Sequence, residues 1–237
     1  MAKIYAGTSG WAYPSWKPSF YPAKLASAKF LGYYASRLNT VEVNYTFRAR
    51  PTEKLLGGWI AQTTNEFKFA IKAHQSITHI KRLHDVGGAT SDFFASLNSL
   101  RLADRLGPVL FQLPPFLKCD LARLDEFLAG LPAYSRSAME FRHESWFTDE
   151  VYDRLRRANV AICRAESEKL ATPEVTTADF SYFRLRKEEY SASDLKTIQG
   201  KVATAATHGD VYVYFKHEDT PDGALYAEAL RKDSKGA

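Results

Sequence analysis

The chain has 237 residues, of which 45% are hydrophobic and 25% charged, a balance typical of a globular domain and not of a disordered chain. Its net charge of +5 is spread along the sequence, so it permits an anionic partner without identifying one. No apolar run approaches the roughly 18 residues needed to cross a bilayer, and the amino terminus lacks a signal-peptide pattern. We therefore expect a cytoplasmic protein with no membrane partner.

Eight short apolar runs of strand character alternate with amphipathic helical stretches along the whole chain. The predicted strands are 4–7, 40–47, 67–73, 109–113, 137–143, 160–165, 182–186 and 211–215. The predicted helices are 28–38, 51–62, 92–106, 120–131, 148–158 and 193–206, with a last helix from about 222. Asp120 and Ser193 are the expected caps of two of these helices. Residues 171–178 carry no clear helix.

Alternating strands and helices predict a parallel sheet, because each parallel crossover needs a long connection. Eight such units predict a single TIM-type (β/α)8 barrel over residues 1–231, irregular between strands six and seven, with a flexible tail over 232–237. The alternative is a doubly wound open sheet. The run Gly7-Thr8-Ser9-Gly10 after the first strand lacks the Gly-x-Gly-x-x-Gly spacing of a dinucleotide site.

Side-chain alternation predicts which residues face the barrel interior. In the second strand Val41, Val43 and Tyr45 are expected to pack on the helices, so the intervening side chains point inward. The sixth strand is ambiguous, because Arg164 shares a face with apolar residues. Cys163 is expected to be a buried thiol, and the two cysteines have no metal or disulfide spacing. The predicted inward residues include Glu42, Asn44, Thr46, Lys72, Gln112, Glu140, Arg142, Tyr182, Arg184, Arg186, Tyr212, Tyr214 and Lys216.

Most of these polar side chains fall near the carboxyl ends of their strands, where TIM barrels build their sites. Five cations, namely Lys72, Arg142, Arg184, Arg186 and Lys216, stand there against the two carboxylates. An excess of cations predicts an anionic ligand that carries a phosphate or a carboxylate. The alternative is a buried salt-bridge network that only fixes the barrel.

Glu42 and Glu140 are candidates for a general acid/base pair, although each could instead anchor an arginine. His79 and His143 lie in strand-end loops and are expected to contact the ligand, with His143 as a third catalytic candidate. His143 and His217, which end the fifth and eighth strands, could form a multi-metal phosphoesterase site with Glu42, Glu140 and Asp219. No local metal motif is present, so we assign no metal ligand, and the sequence identifies no cofactor.

The loop after the first strand offers two further contacts. The glycines around Ser9 allow close backbone approach to a ligand, and Ser9 is assigned to the binding site. Trp11 begins an aromatic cluster that could stack on a base or sugar ring, or simply form a minor core above the barrel.

Several motifs, in order along nearly the whole chain, resemble the YecE-like family, domain of unknown function 72. They are Gly7-Thr8-Ser9-Gly10-Trp11, Thr40-Val41-Glu42-Val43-Asn44 with Thr46-Phe47 and Pro51, Thr78-His79, Leu106-Gly107-Pro108 with Gln112-Leu113-Pro114-Pro115, Glu140-Phe141-Arg142-His143 with Ser145-Trp146, and Val211-Tyr212-Val213-Tyr214-Phe215. The resemblance implies a TIM barrel but no established activity. A likeness of the family's barrel mouth to endonuclease-IV-like sites implies nucleic acid as one class of partner.

This chain differs from the usual family pattern at three places. Arg186-Lys187 replace a common His-Gly, Lys216-His217 replace paired asparagines, and Arg48 stands where an aromatic residue is common. Each difference adds positive charge, which favours an anionic ligand.

The sequence therefore indicates an enzyme acting on a phosphate-bearing substrate, such as a nucleotide or nucleic acid, in the manner of a phosphoesterase-like hydrolase. In this hypothesis Glu140 is the general acid/base, Glu42 its partner or a metal ligand, and Arg142, Arg184 and Lys72 hold the anion. Two alternatives remain open: a non-catalytic protein that binds a small anion or nucleic acid, and a carboxylate-based sugar hydrolase.

Overall fold

Eight parallel strands in the order β1-β8-β7-β6-β5-β4-β3-β2 form the centre of the computed structural model, which describes residues 2–166 and 170–233. They are β1 (Ile4–Thr8), β2 (Thr40–Val43), β3 (Lys68–Lys72), β4 (Leu106–Gln112), β5 (Ser137–Glu140), β6 (Val160–Ala165), β7 (Phe180–Leu185) and β8 (Asp210–Phe215). A parallel bridge between Ser9 and Glu42 joins the two outer strands, β1 and β2. The predicted TIM-type barrel is therefore confirmed.

Helices cover the outside of the barrel. They are α1 (Phe30–Arg37), α2 (Glu53–Ala61), α3 (Gly87–Ser96), α4 (Asn98–Leu102), α5 (Leu121–Ala129), α6 (Asp149–Arg157), α7 (Ala192–Ala206) and α8 (Asp222–Asp233). Residues 170–179, between β6 and β7, form no helix, as expected. The predicted tail begins inside α8, and its last residues, 234–237, lie outside the described part. Across the described residues, no helix has the length and hydrophobicity that a membrane crossing requires.

Two helix caps predicted from the sequence can be compared with the structure. Asp120 caps α5 as expected, since its side chain accepts a hydrogen bond from the backbone N–H of Arg123. The cap predicted at Ser193 is wrong by two residues: Ser191 caps α7, in a capping box with Asp194.

The helix predicted over 92–106 is wrong at both ends. The structure has α3 from Gly87, a break at Leu97, the short α4, and then β4 from Leu106. Gly107 and Pro108 terminate no helix, because they lie within β4 where the register with β3 shifts. An irregular ladder tolerates a proline that cannot donate a hydrogen bond. A Cβ on Gly107 would lie 3.0 Å from the Phe69 carbonyl oxygen, so glycine permits this close strand approach.

The predicted second and fifth strands extend too far at their carboxyl ends. The side chains of the extra residues therefore do not point where strand alternation placed them. β2 ends at Val43, because Asn44 adopts helical backbone angles and a 3₁₀ turn follows over Tyr45–Phe47. Tyr45 was expected to pack on the helices but is 54% exposed. Likewise β5 ends at Glu140, and Arg142, expected to point inward, is exposed.

Alternation along the strands produces two apolar layers. Outward side chains such as Val41, Ile162 and Val213 join a large cluster with the helices. In β6, where the inward face was ambiguous, Cys163 faces the interior as a buried thiol. Arg164 points outward, with its guanidinium 5.1 Å from the centre of the Phe183 ring. The interior cluster comprises Tyr5, Ala70, Leu110, Ala138, Ala161, Cys163, Phe180, Tyr182, Tyr212 and Tyr214.

Side chains help to close the barrel between β1 and β2, which share only a short backbone pairing. The Asn39 amide bonds the backbone of β1 through both its oxygen and its nitrogen, at 3.0 and 2.8 Å. The buried Tyr34 hydroxyl accepts from the Thr8 N–H at 2.9 Å and donates to the Thr40 carbonyl at 3.0 Å. A Cβ on Gly7 would lie 2.1 Å from that Thr40 oxygen, so this contact requires glycine.

Candidate functional site

A buried carboxylate, Glu42, lies at the end of β2 inside the carboxyl end of the barrel. Its side chain is fully buried and accepts three hydrogen bonds. The donors are the Ser9 hydroxyl at 2.8 Å, the Tyr182 hydroxyl at 2.8 Å and the Arg184 guanidinium at 2.7 Å. Inward-pointing residues of β2 and β7 and the end of β1 therefore meet around one charge.

Arg184 also binds the second predicted carboxylate, so one guanidinium joins both glutamates. Its other terminal nitrogen donates to Glu140 at 2.5 Å. Glu140 further accepts from Gln112 Nε2 at 2.9 Å and from Arg186 Nη2 at 3.1 and 3.3 Å. Arg184 and Glu140 are 3% and 1% exposed, so this is an ion-pair network inside the protein.

Both glutamates are held in the ionised form. Burial opposes the charged carboxylate, but the Arg184 charge and the hydrogen bonds from Arg184, Ser9 and Tyr182 outweigh it and lower the pKa of Glu42. Burial is likewise outweighed at Glu140, where Arg184, Arg186 and Gln112 lower the pKa. A carboxyl group whose pKa lies below the ordinary value does not carry a proton at neutral pH. This environment does not favour Glu140 as a general acid.

Lys72 reaches the same network from the end of β3 but has a different kind of partner. Its ammonium donates to the Gln112 side-chain oxygen at 2.9 Å and lies 4.3 Å from the centre of the Phe47 ring. Of the described residues, none places a carboxylate oxygen within 4.0 Å of it. Burial and the charge of Arg184 lower the pKa of Lys72 to about 8.

His79 also contacts the Phe47 ring, edge-on, at 4.8 Å between ring centres. Its Nδ1 is 2.9 Å from the Thr78 hydroxyl. Burial and the nearby charges of Lys72 and Arg142 lower the pKa of His79, so the imidazole is neutral at pH 7. Lys72, Phe47, His79 and the exposed Arg142 thus form one corner of the mouth.

Other predicted site residues lie away from this network. The Tyr214 hydroxyl is fully buried and bonds Thr40 at 2.8 Å within the barrel. Lys216 is exposed, beyond the end of β8. Trp11 packs edge-on against Trp59 of α2, with 5.5 Å between ring centres, a contact that favours the alternative of a minor core above the barrel.

Two more predicted contacts have local partners or none. Nδ1 of His143 bonds the Ser145 hydroxyl at 2.9 Å and caps a 3₁₀ turn over Glu144–Trp146, which gives His143 a local structural role. Asn44 directly follows β2 at the mouth, and its buried Oδ1 has no hydrogen-bond donor among the described residues.

Phe47 and Tyr182 belong to the site but were absent from the predicted binding set. Tyr182 was recognised as pointing inward, yet a tyrosine in a barrel interior gives no local sign that it donates to Glu42, 140 positions away. Phe47 reaches Lys72 because of the 3₁₀ turn after β2, and this turn had been read as a continued strand. Only a helical conformation predicted for Asn44 would have indicated this turn.

The described residues contain no group of three or more histidine, cysteine or acidic side chains that could hold a metal ion. Glu42 and Glu140 are saturated by arginine, tyrosine, serine and glutamine donors. The multi-metal arrangement weighed from the sequence therefore has no donor set in the described structure.

The fold and the charged network define a TIM-barrel protein whose candidate site lies at the carboxyl ends of the strands. The family described as "Protein of unknown function DUF72" matches residues 5–236. The chain belongs to the DUF72 family.

Two curated relatives carry related names. UPF0759 protein YunF of Bacillus subtilis is 31% identical over 160 residues, which are 63% of this chain and 54% of that protein. UPF0759 protein YecE of Escherichia coli K12 is 32% identical over 145 residues, 61% of this chain and 50% of that protein. The chain thus spans about half the length of the curated relatives it matches.

Solved structures share the barrel. A DUF72 family protein from Thermotoga maritima superposes with a TM-score of 0.87 at 28% identity, covering 98% of this chain and 99% of that chain. An AP endonuclease of family 2 from Brucella melitensis superposes with a TM-score of 0.53 at 9% identity, covering 92% of this chain and 93% of that one. The second likeness is one of fold alone.

Proposed function

We propose that the mouth of the barrel binds a phosphate-bearing anion and that the protein is an enzyme acting on it. One observation carries the proposal: three cations, Lys72, Arg184 and Arg186, meet two carboxylates, and Lys72 is held by an amide oxygen and an aromatic ring. A partly buried ammonium without a carboxylate partner is costly, and an anionic ligand would stabilise it.

The arginines also have unused donors. The Nε atoms of Arg184 and Arg186 are buried and have no hydrogen-bond acceptor among the described residues. The Arg186 side chain is 23% exposed, so it can be reached from outside the barrel. A guanidinium with free donors suits phosphate oxygens well.

The opposite end of the barrel provides a comparison within the same molecule. There Lys68 pairs with Asp104 and Arg136 pairs with Asp210, each at 2.6 Å. Each of these two cations has its own carboxylate partner. Lys72 differs from both in having no carboxylate partner among the described residues.

The geometry does not favour the sugar-hydrolase alternative. A glycosidase acid must carry a proton, and its pKa is usually raised for that purpose. Glu42 and Glu140 instead have lowered pKa values and are bound to the same guanidinium. Neither carboxyl is placed to donate a proton to a leaving group.

Binding of inorganic phosphate and of nucleoside monophosphates, followed by thermal unfolding, tests the proposal. We expect these ligands to raise the Tm of the unaltered protein, and Arg186→Gln to weaken the affinity by about tenfold or more. Arg156→Gln is the matched control, because Arg156 pairs with Asp153 on α6 and bonds the Thr176 carbonyl oxygen, in contacts exposed to solvent. Equal affinity in Arg186→Gln, or no stabilisation by any phosphate compound, would contradict anion binding at the mouth.

Two further readouts separate the remaining hypotheses. Turnover of a phosphate ester supports an enzyme, whereas stabilisation without turnover supports the non-catalytic binding protein. Binding of a long nucleic acid should weaken steeply with salt, because each phosphate contact releases a counterion, and binding of a mononucleotide should weaken only shallowly.

A further inference from the structure

We propose that Lys72 is a nucleophilic amine that forms an imine with the carbonyl group of an anionic aldehyde or ketone. The inference rests on the proposed function, since the anion-binding mouth would deliver the carbonyl compound, and it adds a covalent step at one named atom. Lys72 is the nucleophile, and Arg186 with its free donors holds the anionic group of the same substrate.

The surroundings of the Lys72 nitrogen suit this chemistry. The nitrogen is held from one side by Gln112 at 2.9 Å and from another by the Phe47 ring at 4.3 Å. Neither partner is an anion, and no carboxylate oxygen of the described residues lies within the 4.0 Å of an ion pair. The nitrogen therefore lacks a close carboxylate partner, in contrast to Lys68 on the same strand, which pairs with Asp104 at 2.6 Å.

Burial and two neighbouring arginines outweigh the opposing charges of Glu42 and Glu140 at Lys72. Burial and the neighbouring Arg184 disfavour a second positive charge and lower the pKa of Lys72 to about 8. At pH 7 roughly a tenth of the Lys72 side chains are then neutral amines, against less than a thousandth for an ordinary lysine. A desolvated lysine beside another cation is a recognised way to activate an amine as a nucleophile.

The covalent step needs no further reactant. The nitrogen lone pair attacks the carbonyl carbon, the carbonyl oxygen takes up a proton, and the nitrogen loses one, which gives a carbinolamine. The hydroxyl then leaves as water with the remaining N–H proton, and the nitrogen lone pair forms the C=N bond. His79, neutral and packed against the same Phe47 ring, is the nearby base that can take the nitrogen's proton.

Reductive trapping tests the inference on the whole chain. The protein is treated with a limiting amount of glycolaldehyde phosphate and cyanoborohydride, and the labelled peptide is identified by mass spectrometry. We expect Lys72 to carry at least about tenfold more adduct than Lys68, with a labelling rate that rises through pH 8 and then levels off. Adduct spread over exposed lysines, with Lys72 no more labelled than Lys68, would overturn the inference.

Two variants and one neutral probe complete the experiment. Lys72→Arg keeps the positive charge, so it should fold but lose the adduct, whereas Lys68→Arg should keep the adduct at Lys72. Glycolaldehyde without phosphate separates the two proposals. If both probes label Lys72 equally, the amine is reactive but anion binding fails; if phosphate binds and neither probe labels Lys72, anion binding stands and the nucleophile fails.

Discussion

One guanidinium, that of Arg184, organises the candidate site. It is 3% exposed and bonds Glu42 and Glu140 at 2.7 and 2.5 Å. A buried ion-pair network of this kind contributes little net stability relative to an apolar core, but removal of one member leaves the others charged and unpaired. The network is therefore sensitive to single substitutions and holds the two carboxylates in one geometry.

Arg184→Met should lower the free energy of unfolding by about 3–5 kcal/mol, because two buried carboxylates lose their shared partner. Urea denaturation followed by circular dichroism measures the change. Arg156→Met, which breaks a pair with side chains 46% and 63% exposed, should cost less than about 1 kcal/mol. A similar small loss for Arg184→Met would mean that the network adds nothing to stability.

For single residues, the direction of a side chain was predicted better than its hydrogen-bond partners. Strand alternation turned Glu42, Glu140 and Arg184 inward, and the structure brings all three together. The same alternation failed at Arg142, because β5 ends at Glu140 and the periodicity no longer applies. A side chain's direction follows from its strand only while the strand continues.

Among the elements, the contact between β1 and β2 departs most from regular sheet structure. Hydrogen bonds from Tyr34 and Asn39 supplement a short backbone pairing there. Because the partners are side chains of α1 and of the turn that follows it, the helix and the closure of the barrel are coupled. Gly7 lies at the closest point of this contact.

Gly7→Ala should destabilise the protein by about 3 kcal/mol, because the new Cβ would lie 2.1 Å from the Thr40 carbonyl oxygen and 2.9 Å from the Tyr34 hydroxyl. Gly200→Ala is the matched change on α7, where nothing lies within 4 Å of the new atom. It should instead raise stability by up to about 1 kcal/mol through helix propensity. Thermal and urea unfolding of the two variants check both signs, and a neutral Gly7→Ala would show that the strands can separate at this point.

For the whole molecule, the buried glutamates should make stability depend on pH below about 4.5, the ordinary value of a glutamate. Their folded pKa values are lowered, so their contribution is complete above that pH and is lost as pH falls through the folded values. The slope should reach about 1.4 kcal/mol per pH unit for each glutamate.

Glu140→Gln should lower stability at pH 7 and also flatten this acid dependence, since one of the two titrating groups is gone. Glu144→Gln, at an exposed position four residues away, should keep the full dependence. Urea unfolding between pH 3 and pH 7 at constant ionic strength measures both. An unchanged slope in Glu140→Gln would contradict the lowered pKa of Glu140.

The order of eight strands and helices, and hence the barrel, followed from the sequence because side-chain periodicity is a local property of the chain. The inward direction of Glu42, Glu140 and Arg184 and the positive character of the mouth followed from the same pattern. Gly107-Pro108 wrongly predicted the end of a helix. The β3–β4 register shift that accommodates both residues inside a strand is not visible in the local sequence.

Only the tertiary structure decided which of the inward groups pair. Arg184 meets Glu42 across 142 positions of sequence, and Lys72 meets Phe47 through a turn that alternation read as strand. These contacts depend on strand register and barrel closure, which no local pattern encodes. The sequence alone determined an excess of positive charge among the residues predicted at the mouth. The fold decided that Arg184 pairs with both carboxylates and that Lys72 pairs with neither.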